Sequence, residues 1–193
     1  MERLKCTYCH CHHSPWTGTA GGGFAVEFKI GDKVVYPNHG IGVIEEVQKP
    51  SVNGTNGSFY RLRILANDST VMVPATNTNQ VGLRRVISRK EIEGVYDILQ
   101  DGEIAMHSNW KGRFQENSNR MRTGAILEVA AVLKNLTLLS QQKNLSYRER
   151  RMLDKARYLV VSEIAEVEKL PEAQVEERVD KAVARSIRIV KDH

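Results

Sequence analysis

The chain has 193 residues, of which 41% are hydrophobic and 26% are charged, and its formal net charge is +5. This length suits one domain or two small ones, and the lack of a long apolar run or an apolar N-terminal segment argues against a membrane protein and a secretory signal. The positive charge is compatible with a polyanionic partner and does not identify one.

The N-terminal 25 residues differ in character from the rest of the chain. All three cysteines lie in Cys6–His13, "CTYCHCHH", and their absence elsewhere suits a reducing cytoplasm. A structural zinc site usually takes ligands from two knuckles, and only one is present, so we expect no bound metal and no cofactor. A zinc-dependent module centred on this cluster remains the alternative.

The segment that follows, "SPWTGTAGGG", has no hydrophobic periodicity and predicts a disordered linker. Translating a purine-rich ribosome-binding site ahead of a GUG start would give the glycines Gly21–Gly23 shortly before Val26. We therefore hypothesise that residues 1–25 are a disordered, non-native extension and that the true chain begins at Val26.

From residue 26 to 83 the pattern is that of short strands joined by tight turns. "FKIGDKVVYP" is rich in β-branched residues and ends at Pro37, Asn38–Gly40 has turn chemistry, and Asn53–Gly57 contains two Asn-Gly pairs typical of a hairpin. No helical period intervenes. The sequence predicts a small antiparallel sheet curled into a barrel.

The last two strands of this region, "FYRLRIL" and "TVMVP", alternate between two faces. One face is apolar and the other carries Arg61, Arg63 and Met72, with Pro74 at the end of the run. An ordinary solvated sheet face would explain these residues. A docking strand, whose open edge pairs with a partner, would also explain them.

After residue 83 the hydrophobic period becomes helical. Capping boxes begin helices at Ser88–Glu91 and Ser146–Glu149, and Ser108 can cap another helix between them. We predict a compact all-α bundle over residues 84–185, with a tail at 186–193. The fold class is therefore α+β, a multidomain chain with a β-barrel followed by a helical bundle.

No catalytic motif is evident in either half. Outside the N-terminal cluster the only histidines are His39, His107 and His193, and none has a nucleophile or carboxylate partner suggested by the sequence. Walker, paired-carboxylate and zinc-protease motifs are absent. The chain is not expected to be an enzyme.

Charge in the helical half is segregated. Lys143–Arg157 holds six basic residues against Glu149 and Asp154, and Glu163–Asp180 holds seven acids against two basic residues. The simplest interpretation of the basic block is a solvated helix surface paired in part with its own acids. The other interpretation is a contact with a nucleic-acid backbone through Arg150 and Arg151.

Trp110 stands in a strongly polar segment, "SNWKGRFQENSNRMRTG". Tryptophan is normally buried in a core or at an interface. Trp110 could pack on the bundle, or it could face a partner with Lys111 and Arg113 beside it. Lys111, Arg113 and either Arg120 or Arg122 would then hold phosphates.

Six segments, which follow one another along the chain from about residue 26 to about residue 181, resemble those of a known protein family. They are "FKIGDKVVYPNHGIGVIEEV", "FYRLRIL", "VMVP", "VGLRRVIS", "NWKGRF…ENSNRM…TG" and "LSYRERRMLDKARYLVVSEIA". Together they resemble the CarD/CdnL family of bacterial transcription regulators. The "GDKVVYP" module alone would be less specific, because transcription–repair coupling factors carry a similar domain on a far longer chain with helicase motifs.

The resemblance implies a Tudor-like barrel that docks on the β subunit of RNA polymerase by strand addition, through positions that include Arg63, Met72 and Pro74. It implies that the helical domain contacts promoter DNA at the upstream edge of the transcription bubble, where Trp110 acts as a wedge. Such a protein stabilises the open complex formed with the housekeeping sigma factor without reading a sequence. We expect it to act as a monomer, in the cytoplasm and associated with the nucleoid.

Three positions depart from the family pattern. Gly112 and Gln115 stand where relatives often carry basic residues, and Pro50 replaces a basic residue that some relatives direct toward polymerase. These departures bear on the strength of stimulation. A sequence-specific repressor and a protein–protein adaptor without DNA contact are the rival functions.

Overall fold

The computed structural model describes residues 27–48, 58–101 and 110–191. The predictions for residues 1–25, Pro50, the Asn53–Gly57 hairpin and the Ser108 cap lie outside these ranges. The strands are β1 (Lys33–Tyr36), β2 (Gly40–Gln48), β3 (Phe59–Ile64), β4 (Thr70–Pro74) and β5 (Arg84–Arg85). The helices are α1 (Arg89–Gln100), α2 (Trp110–Thr123), α3 (Ile126–Gln142), α4 (Tyr147–Glu168) and α5 (Glu172–Lys191).

The strands form one antiparallel sheet in the order β4-β3-β2-β1-β5. The expected barrel is wrong in one respect, because the sheet is open and β4 and β5 lie at opposite edges. Closure would require these two edges to pair. β5 has only two residues, which pair with Val34 and Val35 of β1, and it lies against the helices.

One face of the sheet forms the first core. Ile44, Leu62 and Val73 come from adjacent strands and are at most 2% exposed, and Phe28 meets Tyr60 edge to face with ring centroids 5.7 Å apart. The predicted alternation of β3 and β4 is confirmed, because the residues between these core positions face away from them.

The helices form a second core with α3 at its centre, as the apolar sequence of that segment predicts. Helix α3 contacts α1, α2, α4 and α5, and its residues Leu133 and Leu136 are fully buried. Both predicted capping boxes are present, at Ser88–Glu91 and Ser146–Glu149. In the described part of the chain, no helix combines the length and the apolar character needed to cross a bilayer.

The predicted start of the tail at residue 186 falls inside a helix. Helix α5 continues to Lys191, and Ser186 is fully buried with its hydroxyl donating to the carbonyl of Asp101 at 2.6 Å. A buried hydroxyl with a hydrogen-bond partner favours continuation of the helix. This contact joins residues 85 positions apart, so no local sequence pattern indicates it.

The sheet and the bundle meet at Pro37, which follows β1. A Cβ on Gly82 would lie 2.9 Å from Pro37 Cγ, and one on Gly124 would lie 2.8 Å from it. Both glycines also have positive φ angles, +72° and +69°. Gly124 separates α2 from α3, so the ring of Pro37 locates the end of α2 against the sheet.

We predict that Gly124→Ala destabilises the protein by about 3 kcal/mol, because it adds a clash with Pro37 to the strain of a positive φ. The matched control is Gly31→Ala, whose φ is +89° with nothing within 4 Å of the added Cβ, and which should cost about 1 kcal/mol. Urea unfolding of both variants measures the difference. Equal losses would show that Pro37 does not press on Gly124.

Candidate docking and nucleic-acid surfaces

The exposed face of β3 and β4 brings together the four residues predicted for polymerase contact. Arg61 lies opposite Met72, and Phe59 lies opposite Pro74. Arg63 occupies the same face, and Met72 is 45% exposed. Within the described sheet no strand pairs with the outer edge of β4, and an edge of this kind can pair with the strand of a partner.

This face carries both signs of charge. Arg63 Nε donates to Glu45 at 2.7 Å and Arg63 Nη1 to Asp68 at 3.1 Å, while Arg61 Nη1 lies 3.0 Å from Glu46. The hydrogen bonds to Glu45 and Asp68 raise the pKa of Arg63. Exposed pairs of this kind stabilise a fold little, so a partner can exchange them at small cost.

A β-bulge explains why the sequence did not reveal these acids. The register of β2 against β3 shifts between Ile44 and Glu46, and the bulge lets the consecutive residues Glu45 and Glu46 both approach Arg61. Strict alternation would send one of them to the opposite face.

The second surface begins at α2, whose first residue is Trp110 and whose next residue, Lys111, is exposed. The side chain of Trp110 lies outside the part of the structure that is described. The structure corrects the predicted contact of Arg113 with phosphate. Arg113 is 4% exposed, and its Nε and Nη2 donate to Glu149 Oε1 at 3.3 and 3.2 Å, so its guanidinium is directed into the protein.

Glu149 joins the starts of two helices. It is also 4% exposed, and its other oxygen accepts from the hydroxyl and backbone N–H of Ser146 at 2.8 and 3.0 Å. Burial acts to raise the pKa of Glu149, but the hydrogen bonds from Ser146 and Arg113 outweigh it and hold that pKa below its usual range. The residue that caps α4 therefore also holds the first turn of α2.

The remaining predicted cations of α2 differ in their surroundings. Arg120 lies 2.8 Å from Glu116 and 3.7 Å from Glu128, so two carboxylates offset its charge. Arg122 is exposed. It lines an open groove of about 520 Å³ together with Arg151 and Lys155 of α4.

The expected pairing of the basic block with Glu149 and Asp154 is wrong for Glu149, which turns inward to Arg113. Over the described ranges, Arg150 and Arg151 have no carboxylate at ion-pair distance, and both are exposed. The guanidinium of Arg151 instead lies 5.8 Å from the ring centre of Tyr147. Tyr147 is 73% exposed, and it was not among the predicted site residues.

Within residues 27–48, 58–101 and 110–191, no cluster of three histidine, cysteine, aspartate or glutamate side chains could hold a metal ion. The cluster Cys6–His13 lies beyond the described ranges. The two candidate surfaces are a mixed-charge sheet edge and a helical groove lined by three cations, Arg122, Arg151 and Lys155, and one acid, Asp154.

Comparisons with known proteins match both halves of the chain. The family described as "CarD-like/TRCF RID domain" matches residues 28–87, and "CarD, C-terminal domain" matches residues 94–180. A Bacillus subtilis (strain 168) protein named "Putative transcription factor YdeB" is 31% identical over 148 residues, which cover 77% of this chain and 97% of that protein.

We predict that Glu149→Gln lowers the free energy of unfolding by about 3 kcal/mol at neutral pH, because it removes the charge of a buried carboxylate that pairs with the buried Arg113 guanidinium. The control is Glu91→Gln, which alters the corresponding position of the exposed α1 capping box and should cost about 1 kcal/mol or less.

The pH dependence has a defined sign. A carboxylate with a lowered pKa stabilises the fold above its ordinary pKa, and that stabilisation is lost as pH falls through the lowered pKa. The difference between the two variants in urea unfolding should therefore shrink in acid. Equal losses at neutral pH would contradict the buried pair.

Proposed function

The chain belongs to the CarD family of transcription factors, and from that premise we propose that it docks on the β subunit of RNA polymerase through β4 and stabilises the open promoter complex through α2. The family supports regulation of transcription in association with RNA polymerase. The observation that carries the finer proposal is the presence, in one chain, of an open sheet edge and a cationic helical surface. The site of action is then the nucleoid, in the cytoplasm.

Docking occurs by strand addition. The outer edge of β4 offers backbone donors and acceptors to a strand of the β subunit. Met72 supplies a flexible apolar contact beside them. Arg61 and Arg63 select the partner by exchanging their intramolecular carboxylates for those of polymerase, and Pro74 ends the strand and limits its length.

The contact with DNA occurs at the start of α2. Trp110 inserts at the upstream edge of the bubble, where distorted base pairs are easier to unstack. Lys111, Arg122, Arg150 and Arg151 hold backbone phosphates, which positions the protein without reading a sequence. Arg113 orients the helix through Glu149 and does not touch phosphate.

The effect on transcription follows from differential binding. A protein that contacts melted DNA better than duplex DNA shifts the equilibrium between closed and open complexes by the difference in its affinities. Stacking of one aromatic ring on a base is worth about 1–3 kcal/mol, or roughly a fivefold to hundredfold change in that equilibrium. The few cations give weak binding to free DNA, and docking on polymerase supplies the effective concentration.

We expect Trp110→Ala to shorten the lifetime of open complexes on an unstable promoter by roughly fivefold or more, through loss of the stacking contact. Polymerase affinity should stay at the wild-type value, and Trp110→Phe should retain part of the effect. Dissociation in the presence of a competitor measures the lifetime. A wild-type lifetime with Trp110→Ala would refute the wedge.

We expect Arg63→Glu combined with Met72→Asp to abolish capture of the β subunit. The first change replaces the cation that now pairs with Glu45 and Asp68 by an acid, and the second replaces the apolar contact of β4 by a charge. Arg85→Glu makes the charge change of Arg63→Glu at the opposite edge of the sheet, where Arg85 is 59% exposed, and should leave capture intact. Circular dichroism verifies folding of both variants. Undiminished pull-down by the double variant would exclude this face.

A further inference from the structure

A buried ion pair joins the sheet to the helical bundle. Glu163 of α4 is 2% exposed, and both of its oxygens accept from Arg84 of β5, at 2.5 Å from Nη1 and 2.8 Å from Nη2. The backbone N–H of Ile87, in the connection to α1, donates to the same carboxylate at 3.1 Å. One carboxylate therefore fixes the last strand, the connecting segment and α4.

The same arginine also reaches the end of α2. Arg84 Nε donates to the carbonyl of Gly124 at 2.9 Å, and Pro37 packs on the α-carbon of Gly124 from the sheet side. All three nitrogens of the guanidinium have acceptors in fixed directions, so Arg84 constrains orientation as well as distance. A second ion pair, Lys33–Glu166 at 2.6 Å, is more exposed.

The position of this pair in the sheet separates it from the docking strand. β5 is at one edge and β4 at the other, with three strands between them. A polymerase strand added to β4 would therefore leave the contacts of β5 in place. Helix α2 has 14 residues from Trp110 to Thr123, so its start lies roughly 20 Å from the end that Arg84 holds. A tilt of about 10° at that end would move the start of α2 by roughly 3–4 Å.

We infer that Arg84 and Glu163 are positioning residues that hold the sheet and the bundle in one orientation, so that docking through β4 places the start of α2 at the DNA. This inference rests on the proposed function for its consequence in transcription. The pair acts through α2 and β5 and touches neither polymerase nor DNA. Its loss lowers the effective concentration of α2 at the bubble without weakening either surface.

Two variants test the pair. Glu163→Gln keeps the shape of the side chain and removes its charge. Arg84→Met combined with Glu163→Met replaces both charges with apolar groups, an exchange that often preserves stability, so one folded protein without the ion pair is available. Glu168→Gln is the control, because Glu168 forms an ion pair with Arg178 inside the bundle and does not reach the sheet.

The first measurement is a distance distribution between two spin labels, with Cys6, Cys9 and Cys11 changed to serine. One label is at Ser69→Cys, in the connection between β3 and β4, and the other is at Gln115→Cys in α2, both exposed positions. The parent and Glu168→Gln should give one narrow distribution, and both variants of the pair should give a broad one. An unchanged distribution in the folded double variant would overturn the inference.

The second measurement compares polymerase affinity with open-complex lifetime. Both variants of the pair should bind polymerase as the parent does and lose roughly fivefold or more of its effect on lifetime. A broad distribution with full stimulation would overturn the positioning role. If the parent protein itself leaves the lifetime unchanged, the proposed function fails, and the spin-label distances still decide whether the pair fixes the orientation.

Discussion

A charged side chain buried in a protein needs a counter-charge, and α4 carries two such carboxylates on nearly the same side. Glu149 in its first turn takes Arg113 from α2, and Glu163 takes Arg84 from β5. Arg84 in turn holds the carbonyl that follows α2. Contacts that lead to α4 therefore hold both ends of α2. The helix that begins with Trp110 has a fixed place relative to the sheet.

The two surfaces differ in how their charges are satisfied. The arginines of the sheet face are paired with Glu45, Glu46 and Asp68, which suits a protein partner that exchanges one set of pairs for another. Arg150 and Arg151 of α4 are exposed, and in the described part of the chain neither has a carboxylate at ion-pair distance. Arg151 also lines the groove beside α2 and lies near the ring of Tyr147. Exposed cations of this kind suit a polyanion. The sheet face therefore offers paired charges, and the helical surface offers cations.

Local signals in the sequence predicted most of the elements, and contacts between distant residues account for what it missed. The Ser146–Glu149 capping box spans four residues and was predictable from the sequence. The pairing of Glu149 with Arg113 joins residues 36 positions apart. It was not predictable, and it shows that Arg113 is directed into the protein. The alternation of β3 predicted its exposed face. The acids beside that face, Glu45 and Glu46, were not predicted, because they lie at a bulge in β2. The prediction of a closed barrel was wrong because β5 is short and lies against the helices. Strand propensity does not indicate such an arrangement.

The proposed function depends on delivery of α2 to melted DNA by a chain already bound to polymerase. The most direct measurement is the lifetime of open complexes on an unstable promoter as this chain is titrated, with polymerase binding followed in parallel. We expect the open-complex lifetime to rise and saturate together with polymerase occupancy, with no protection of free promoter DNA. A lifetime that stays constant at full occupancy, or a footprint on DNA without polymerase, would contradict it.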